Sequence, residues 1–338
     1  MTLDRLALSR ATVDRAAELR GQEGLLDRLL ADVSTRVLLL DGDLAPVTGG
    51  AVPTLALTDP ATALALQEKA WAPDARVVRL YLGHDAPGPD GPGPHHVALA
   101  RLEPPLKGSG LPRAQAGPPS QPEHALPGTR WASLREVGTL LDDTAAGLLT
   151  TAVAMAHWHA GHAHCSRCGT ATDVVQSGWS RLCPRCGGEH YPRTDGAVIM
   201  AITDADDRIL LGRHVNWPQR RYSCLAGFVE PGESLEAAVR REVWEEAGVV
   251  VGEVSYRGSQ PWPFPASLML GFRGRALGTG ITVDGAELES ARWWTREELA
   301  LDVATGELLL PPPVSIARRL VEDWYGGPLT DADAEPWR

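Results

Sequence analysis

The sequence predicts an α/β (α+β) protein built around a mixed sheet that helices cover on both sides. Three observations predict it. Short apolar runs alternate with helical patterns after residue 196, two segments rich in proline and glycine interrupt the first half, and two cysteine pairs stand between the halves. Strands that bracket an acidic helix, with another helix near the far end, are typical of a sheet sandwiched by helices.

The first half contains short strand-like and helical stretches separated by turn residues. Strands are predicted at residues 37–40, 77–82 and 97–102, and helices at 64–70, 134–141 and 143–158. Residues 83–96 and a stretch that ends at Gly128 are rich in proline and glycine, so they are predicted to be loops. This half carries no recognisable chemistry and is interpreted as a structural or dimerising module.

The second half shows a denser alternation. Strands are predicted at residues 197–202, 209–211, 268–274 and 291–294, with a turn at 204–207. Helices are predicted at residues 234–246, 296–299 and 315–324.

Length and charge limit the function classes. At 338 residues the chain is long enough for two or three domains with buried cores. A formal net charge of −11 argues against general coating of nucleic acid. The first residues lack a secretory pattern, and the apolar stretch 145–156 is too short to span a bilayer, so a cytoplasmic enzyme without a membrane partner is expected.

An acidic motif at residues 227–249 is the most informative feature. Glu242, Glu245 and Glu246 are spaced i, i+3 and i+4, which places three carboxylates on one face of a helix. Like charges at this spacing destabilise a helix by about 0.2–0.5 kcal/mol each, whereas a divalent cation reverses that effect. A solvated acidic face would explain the carboxylates, but it does not explain the fixed spacing of three glycines, at Gly227, Gly232 and Gly248.

Two Cys-x-x-Cys pairs predict a metal site. The sulfur ligands are Cys165, Cys168, Cys183 and Cys186, with 14 residues between the pairs. Four thiolates in two such pairs suit tetrahedral Zn²⁺ in a structural site. Two disulfides or a redox pair are the alternatives, but neither requires the glycine that follows each pair. The remaining cysteine, Cys224, is interpreted as a small buried apolar residue.

Residues 259–267, Ser-Gln-Pro-Trp-Pro-Phe-Pro-Ala-Ser, form a third motif. Alternating prolines make a stiff extended segment, which would present Trp262 and Phe264 rigidly for stacking on a flat ring. An ordinary turn with its aromatic side chains packed inward fits the residues equally well. The residue pattern alone leaves both interpretations open.

The acidic motif resembles the Nudix box, the signature of hydrolases that act on a nucleoside diphosphate linked to another group. The resemblance implies that Glu242, Glu245 and Glu246 hold Mg²⁺ or Mn²⁺ and that Arg241 pairs with Glu233. It also implies a loop–helix–loop structure in an α/β/α sandwich.

The other two motifs resemble those of the NADH pyrophosphatase subfamily of Nudix hydrolases. This resemblance implies that the chain has four parts. They are an inactive Nudix-like domain at residues 1–156, a zinc ribbon at 157–192, the catalytic domain at 193–326 and a tail at 327–338. It implies a homodimer that cleaves NAD(H) to NMN(H) and AMP and removes the NAD cap from RNA, leaving a 5′-monophosphate. Phe228 and Trp262 would sandwich the adenine, with Trp262 donated by the partner subunit. The other implied site residues are Glu287, as a metal ligand or base, and the substrate neighbours Tyr191, Ile199, Gln260, Ser267, Met269 and Ala317.

Two alternatives stay open at this point. One is a broader dinucleotide or ADP-sugar pyrophosphatase. The other is a catalytically dead, zinc-ribbon nucleic-acid-binding protein, against which the intact box argues.

Overall fold

The computed structural model describes residues 3, 5–87, 93–102, 126–283 and 285–332. The chain forms two compact units. The N-terminal unit comprises Arg10–Thr194 together with Pro263–Ala266. The C-terminal unit comprises Met1–Ser9, Asp195–Trp262 and Ser267–Arg338. The proposed four-part domain division stays a prediction.

The N-terminal unit contains a five-stranded sheet with the order β3-β4-β1-β2-β5. Only the pair β1 and β4 is parallel among these neighbours. The strands of this sheet are β1 (Arg36–Asp41), β2 (Leu44–Thr48), β3 (Val77–His84), β4 (His95–Arg101) and β5 (Thr129–Ser133). The helices are α1 (Leu25–Ala31), α2 (Pro60–Ala70), α3 (Leu134–Val137) and α4 (Asp143–Gly161).

The predicted elements of this unit are found, with differences at their ends. Helix α2 begins four residues earlier than predicted, because Asp59 caps its first turn and Pro60 suits the first helical position. Helix α3 ends at Val137 and Gly138 is its C-terminal cap, so the helix predicted for residues 134–141 was too long. The loop predicted for residues 83–96 was too long, because β3 extends to His84 and β4 begins at His95, and its residues 88–92 lie outside the described residues. Most of the second predicted loop, residues 103–125, also lies outside them.

A small three-stranded sheet follows α4. Its strands are β6 (Asp173–Val175), β7 (Ser180–Leu182) and β8 (Glu189–His190). A buried polar network ties this sheet to α4. Nε2 of His159 lies 2.8 Å from the carbonyl oxygen of Gly178, and Arg181 donates to Nδ1 of His159 at 3.0 Å. His159 is therefore neutral, donating from Nε2 and accepting at Nδ1.

Folding should depend on pH through His159. Burial, followed by the nearby charges of Arg181 and Arg76, lowers the pKa of His159 from 6.5 to about 4. The unfolded chain then binds more protons between these values, so stability is fully present above about pH 6.5 and falls as the pH drops toward 4. The shift corresponds to about 3 kcal/mol at 1.36 kcal/mol per unit.

The matched variant is His159→Gln, which offers the same donor and acceptor without titrating. Chemical denaturation from pH 7 to pH 5 should show a steeper loss of stability in the natural protein than in this variant. Both proteins keep the cysteines, so effects of thiol protonation cancel in the comparison. Equal slopes would contradict the assignment.

The C-terminal unit is built on a six-stranded mixed sheet with the order β12-β13-β9-β10-β14, in which β11 also pairs with β9. The strands are β9 (Asp195–Thr203), β10 (Ile209–His214), β11 (Leu225–Phe228), β12 (Val251–Trp262), β13 (Ser267–Ala276) and β14 (Leu288–Trp294). Strands β9 and β13 run parallel, and the other pairs are antiparallel. The helices are α5 (Leu235–Ala247), α6 (Arg296–Thr305) and α7 (Ile316–Tyr325).

The two faces of this sheet are covered by different helices. Val198, Met200 and Ile202 of β9 pack with the apolar residues of α5. The alternate residues Ile199 and Ala201 pack with α6 and α7 instead. This period of two follows from the pleat of the strand. The predicted α/β/α arrangement is confirmed.

No helix in the described part of the chain combines the length and the apolar character that crossing a bilayer requires.

Candidate active site

Helix α5 carries the three predicted carboxylates, and its ends are well defined. The side chain of Ser234 accepts a hydrogen bond from the backbone N–H of Ala237, and Gly248 ends the helix with φ +66°. Ser is a preferred N-cap and Gly tolerates the left-handed cap, so the local sequence determines both ends. The apolar residues Ala238, Val239 and Val243 are fully buried and fix which face meets the sheet.

Arg241 is the hub of the acidic cluster. Its guanidinium binds Glu233 through two hydrogen bonds, from Nε at 3.1 Å and from Nη2 at 2.6 Å. Nη1 also donates to Oε1 of Glu242 at 2.8 Å and to Oε2 of Glu245 at 2.9 Å. The pair of Arg241 with Glu233 that the resemblance implied is therefore present, and two of the three helix carboxylates bind the same guanidinium group.

These contacts lower the pKa of Glu233 and raise the pKa of Arg241, so both shifts favour the charged forms. Hydrogen bonds from Arg241 and from the backbone of Glu230 lower the pKa of Glu233. The hydrogen bond between Arg241 and Glu233 is the largest of the causes that raise the pKa of Arg241. A bidentate arginine–carboxylate pair also has a fixed geometry, so it orients the loop before α5.

Glu242 is buried against a glycine. A Cβ at position 227 would lie 1.9 Å from Cδ of Glu242, so only glycine leaves room for this carboxylate. Burial raises the pKa of Glu242, and the neighbouring charges of Glu245 and Glu287 act in the same direction, while Arg241 opposes them. The sequence showed a glycine at a fixed spacing here but not what the glycine accommodates.

Gly227→Ala should displace the Glu242 carboxylate and lower kcat/KM by about 10²-fold, since displacing a reacting group by about 1 Å has effects of that size. The matched control is Gly196→Ala in the adjacent strand, where the nearest neighbour of the new methyl group is Val229 Cγ2 at 3.7 Å. Steady-state kinetics should show near-normal turnover for the control. Normal turnover in Gly227→Ala would contradict this role of the glycine.

The carboxylates suit a hard divalent cation. Glu242 and Glu246 are only 8% and 7% exposed, and Glu245 and Glu287 are exposed at the edge of the same cluster. Carboxylate oxygens are preferred Mg²⁺ ligands, and buried carboxylates are unfavourable unless they are paired or bind a metal. Their oxygens do not all converge as the cysteine sulfurs do, and Arg241 binds two of these carboxylates, Glu242 and Glu245.

The predicted substrate residues lie mainly on the sheet face opposite α5. Phe228 of β11 lies opposite Ala197 of β9. Ala197 lies opposite Met269 of β13, which in turn lies opposite Gln260 of β12. Residues directly opposite across strands project to the same face. By the same alternation Ile199, Trp262 and Ser267 share this face.

Strand β11 connects the two sets of residues. Gly227 faces Glu242, whereas Phe228, the next residue, projects to the other face and is 60% exposed. The carbonyl oxygen of Phe228 accepts a hydrogen bond from Arg241 at 2.9 Å. Two adjacent backbone positions thus join the acidic cluster to the face that carries the predicted substrate residues.

The remaining predicted substrate residues differ in accessibility. Ile199 and Ala317 are 4% and 2% exposed in the core between the sheet and α7. Gln260 is fully buried, where its amide accepts from the backbone of Leu8 and donates to the carbonyl oxygen of Val314. Tyr191, in the N-terminal unit, is 66% exposed. The sequence could not distinguish lining residues from core residues among these positions.

The four cysteines of the N-terminal unit converge. Their sulfur atoms all lie within 4.8 Å of one another, with 3.6 Å between Cys165 and Cys186 and 3.5 Å between Cys168 and Cys183. A tetrahedral Zn²⁺ with Zn–S bonds of about 2.3 Å requires sulfurs about 3.8 Å apart. The cysteines fit this ion, and all four are free thiols rather than disulfides.

The mixed sheet and its acidic helix define the class of a Nudix hydrolase, and residues 192–310 match the NUDIX domain family. Residues 161–191 match the NADH pyrophosphatase zinc ribbon domain. The chain belongs to the NADH pyrophosphatase subfamily of the Nudix hydrolases. Its metals are accordingly a structural Zn²⁺ and catalytic Mg²⁺ or Mn²⁺.

Two named relatives and one solved structure illustrate the similarity. The chain is 40% identical over 257 residues to the NAD-capped RNA hydrolase NudC of Mycobacterium tuberculosis, covering 73% of this chain and 80% of that protein. It is 44% identical over 197 residues to the human NAD-capped RNA hydrolase NUDT12, covering 54% of this chain and 42% of that protein. A NUDIX hydrolase structure from Nitrosomonas europaea aligns with a TM-score of 0.37 and 22% identity, covering 49% of this chain and 94% of that one.

Proposed function

We propose that this protein hydrolyses the pyrophosphate bond of NAD(H), giving NMN(H) and AMP. We also propose that it removes the NAD cap from RNA and leaves a 5′-monophosphate end. The observation that carries the proposal is the junction at β11, where a partly buried carboxylate cluster, two of whose members bind Arg241, adjoins an exposed aromatic ring. The names of the relatives support NAD-capped RNA as a substrate.

Pyrophosphate hydrolysis requires charge neutralisation on the phosphate oxygens and a water molecule placed in line with the leaving group. Glu242, Glu245 and Glu246, with Glu287, would hold the cations. Bound Mg²⁺ or Mn²⁺ supplies neutralisation of the diphosphate and a lower pKa for water. Arg241 holds Glu242 and Glu245 in place while its pair with Glu233 fixes the loop.

Burial also affects the protonation of Glu242. Its raised pKa means that the folded protein favours its protonated form more than water does. The positive charge of a cation would offset that effect and favour the carboxylate. Cation binding and proton release by this cluster should therefore be linked.

The exposed ring of Phe228 would stack on the adenine, and Trp262 would cover its other side from the partner subunit of a homodimer. Base–aromatic stacking contributes about 1–3 kcal/mol per base. Ser267 and Met269 share the face of Phe228, and we place the dinucleotide along it, with Ile199, Gln260 and Ala317 supporting that face from the core. Tyr191 is proposed as a further neighbour of the dinucleotide.

The test compares NADH, NAD, NAD-capped RNA and ADP-ribose with one preparation, identifying products by mass spectrometry. The proposal predicts NMN(H) with AMP from the dinucleotides, NMN with 5′-monophosphate RNA from the capped substrate, and slower hydrolysis of ADP-ribose. Equal or faster turnover of ADP-ribose would instead favour a broader ADP-sugar pyrophosphatase. Hydrolysis of none of them in Mg²⁺ or Mn²⁺ would overturn the proposal.

A further inference from the structure

The turn between β12 and β13 is held by two side chains that the proposed chemistry does not use. Residues Pro263–Ala266 form this turn and pack within the N-terminal unit. His157 of α4 lies with its Nδ1 2.7 Å from the carbonyl oxygen of Pro263. Since a carbonyl oxygen only accepts, Nδ1 of His157 is the donor.

The second contact is made by Arg135 of α3. Its guanidinium carbon lies 3.8 Å from the centre of the Phe264 ring, within the range of a cation–π interaction. The His157 ring also meets Phe264 edge-on, with 6.4 Å between ring centres. Side chains of two helices thus hold two consecutive residues of the turn. His157 of α4 bonds the backbone of Pro263, and Arg135 of α3 contacts the ring of Phe264.

Pro263 is peptide-bonded to Trp262, the proposed stacking residue. The backbone around it is stiff, because prolines at 261, 263 and 265 fix alternate φ angles. Across the hairpin, Trp262 of β12 pairs with Ser267 of β13. Holding the carbonyl of Pro263 therefore restricts the backbone that carries Trp262.

We infer that His157, assisted by Arg135, is a positioning residue for the dinucleotide-binding turn: it fixes Trp262 through the Pro263 carbonyl without touching substrate. This inference rests on the proposed function. Preorganising a stacking ring removes an entropic penalty from binding, so the effect belongs in KM rather than in kcat.

The test uses two variants of His157 in the full-length protein. His157→Leu removes the donor, whereas Asn keeps an N–H donor close to the position of Nδ1. Losing one hydrogen bond of this kind should raise KM for NADH about fivefold, with kcat nearly unchanged. His157→Asn should restore KM to near the natural value.

His162→Leu is the matched control. His162 lies near the end of the same helix, and its Nδ1 bonds the carbonyl oxygen of Trp158 in that helix rather than the turn. This variant should leave KM unchanged. Arg135→Met provides a second approach from α3 and should raise KM about threefold.

Zinc content and melting temperature separate positioning from a structural role. The inference is supported if His157→Leu and Arg135→Met raise KM while zinc content and melting temperature stay natural. It is overturned if the natural protein hydrolyses NADH and both variants keep its KM, or if KM rises only together with loss of zinc or of the folded state. Absence of NADH hydrolysis in the natural protein refutes the proposed function instead.

Discussion

Replacing Glu246 by Gln is expected to lower kcat for NADH hydrolysis by a factor of about 10²–10⁴, the range associated with losing a group that assists proton transfer or holds a catalytic ion. Glu246 is 7% exposed on the sheet-facing side of α5, so its carboxylate lies where a charge needs a counterion. Gln has the same shape and cannot supply a charged oxygen. Steady-state assays at saturating Mg²⁺ and Mn²⁺ measure the effect.

The control for this variant is Glu236→Gln. Glu236 lies in the first turn of the same helix, where it is exposed. The control should keep turnover within about twofold, since surface changes away from a site have small effects. If Glu246→Gln retained full turnover, the carboxylate cluster would not be the catalytic centre, and the alternative of a catalytically dead nucleic-acid-binding protein would return.

Replacing Cys183 by Ser is expected to abolish zinc binding and unfold the ribbon. Cys183 is 1% exposed and its sulfur lies 3.5 Å from that of Cys168. Structural Zn²⁺ contributes about 10–16 kcal/mol of apparent binding free energy in small zinc domains, which exceeds the stability of most domains. Elemental analysis should find about one zinc per chain in the natural protein and almost none in the variant.

The comparison variant is Cys224→Ala. Burial raises the pKa of the Cys224 thiol to about 12, and this residue lies in the apolar core of the C-terminal unit. The variant should keep its zinc and lose only a small part of its stability. Normal zinc content in Cys183→Ser, or zinc loss in Cys224→Ala, would contradict the assignment of ligands.

Elements whose signals are local could be predicted closely. Helix α5 was placed within one residue at each end, because the Ser234 cap, the apolar period and Gly248 all lie in one short stretch. Strand β2 was missed, because it contains Pro46, a residue that argues against a strand, and because it pairs along its whole length with β5, more than 80 residues away, and with β1 only at Leu44. Such long-range pairing leaves no local pattern.

In the candidate site, too, contacts between distant residues could not be predicted from local sequence patterns. Motif resemblance identified the carboxylates and the pair of Arg241 with Glu233, but the further bonds of Arg241 depend on side-chain geometry. The packing of Gly227 against Glu242 requires the register of β11 on β9. The grip of His157 on the turn joins residues 106 positions apart, and no spacing rule predicts it.

Anomalous diffraction from crystals grown with Mn²⁺ and a non-hydrolysable NAD analogue is the most direct test of the claim that these carboxylates bind the cations that act on the diphosphate. We expect manganese peaks within about 2.0–2.3 Å of oxygen atoms of Glu242 and Glu246, each also contacting the analogue's diphosphate. Manganese bound elsewhere, with both side chains free of metal beside bound analogue, would contradict it.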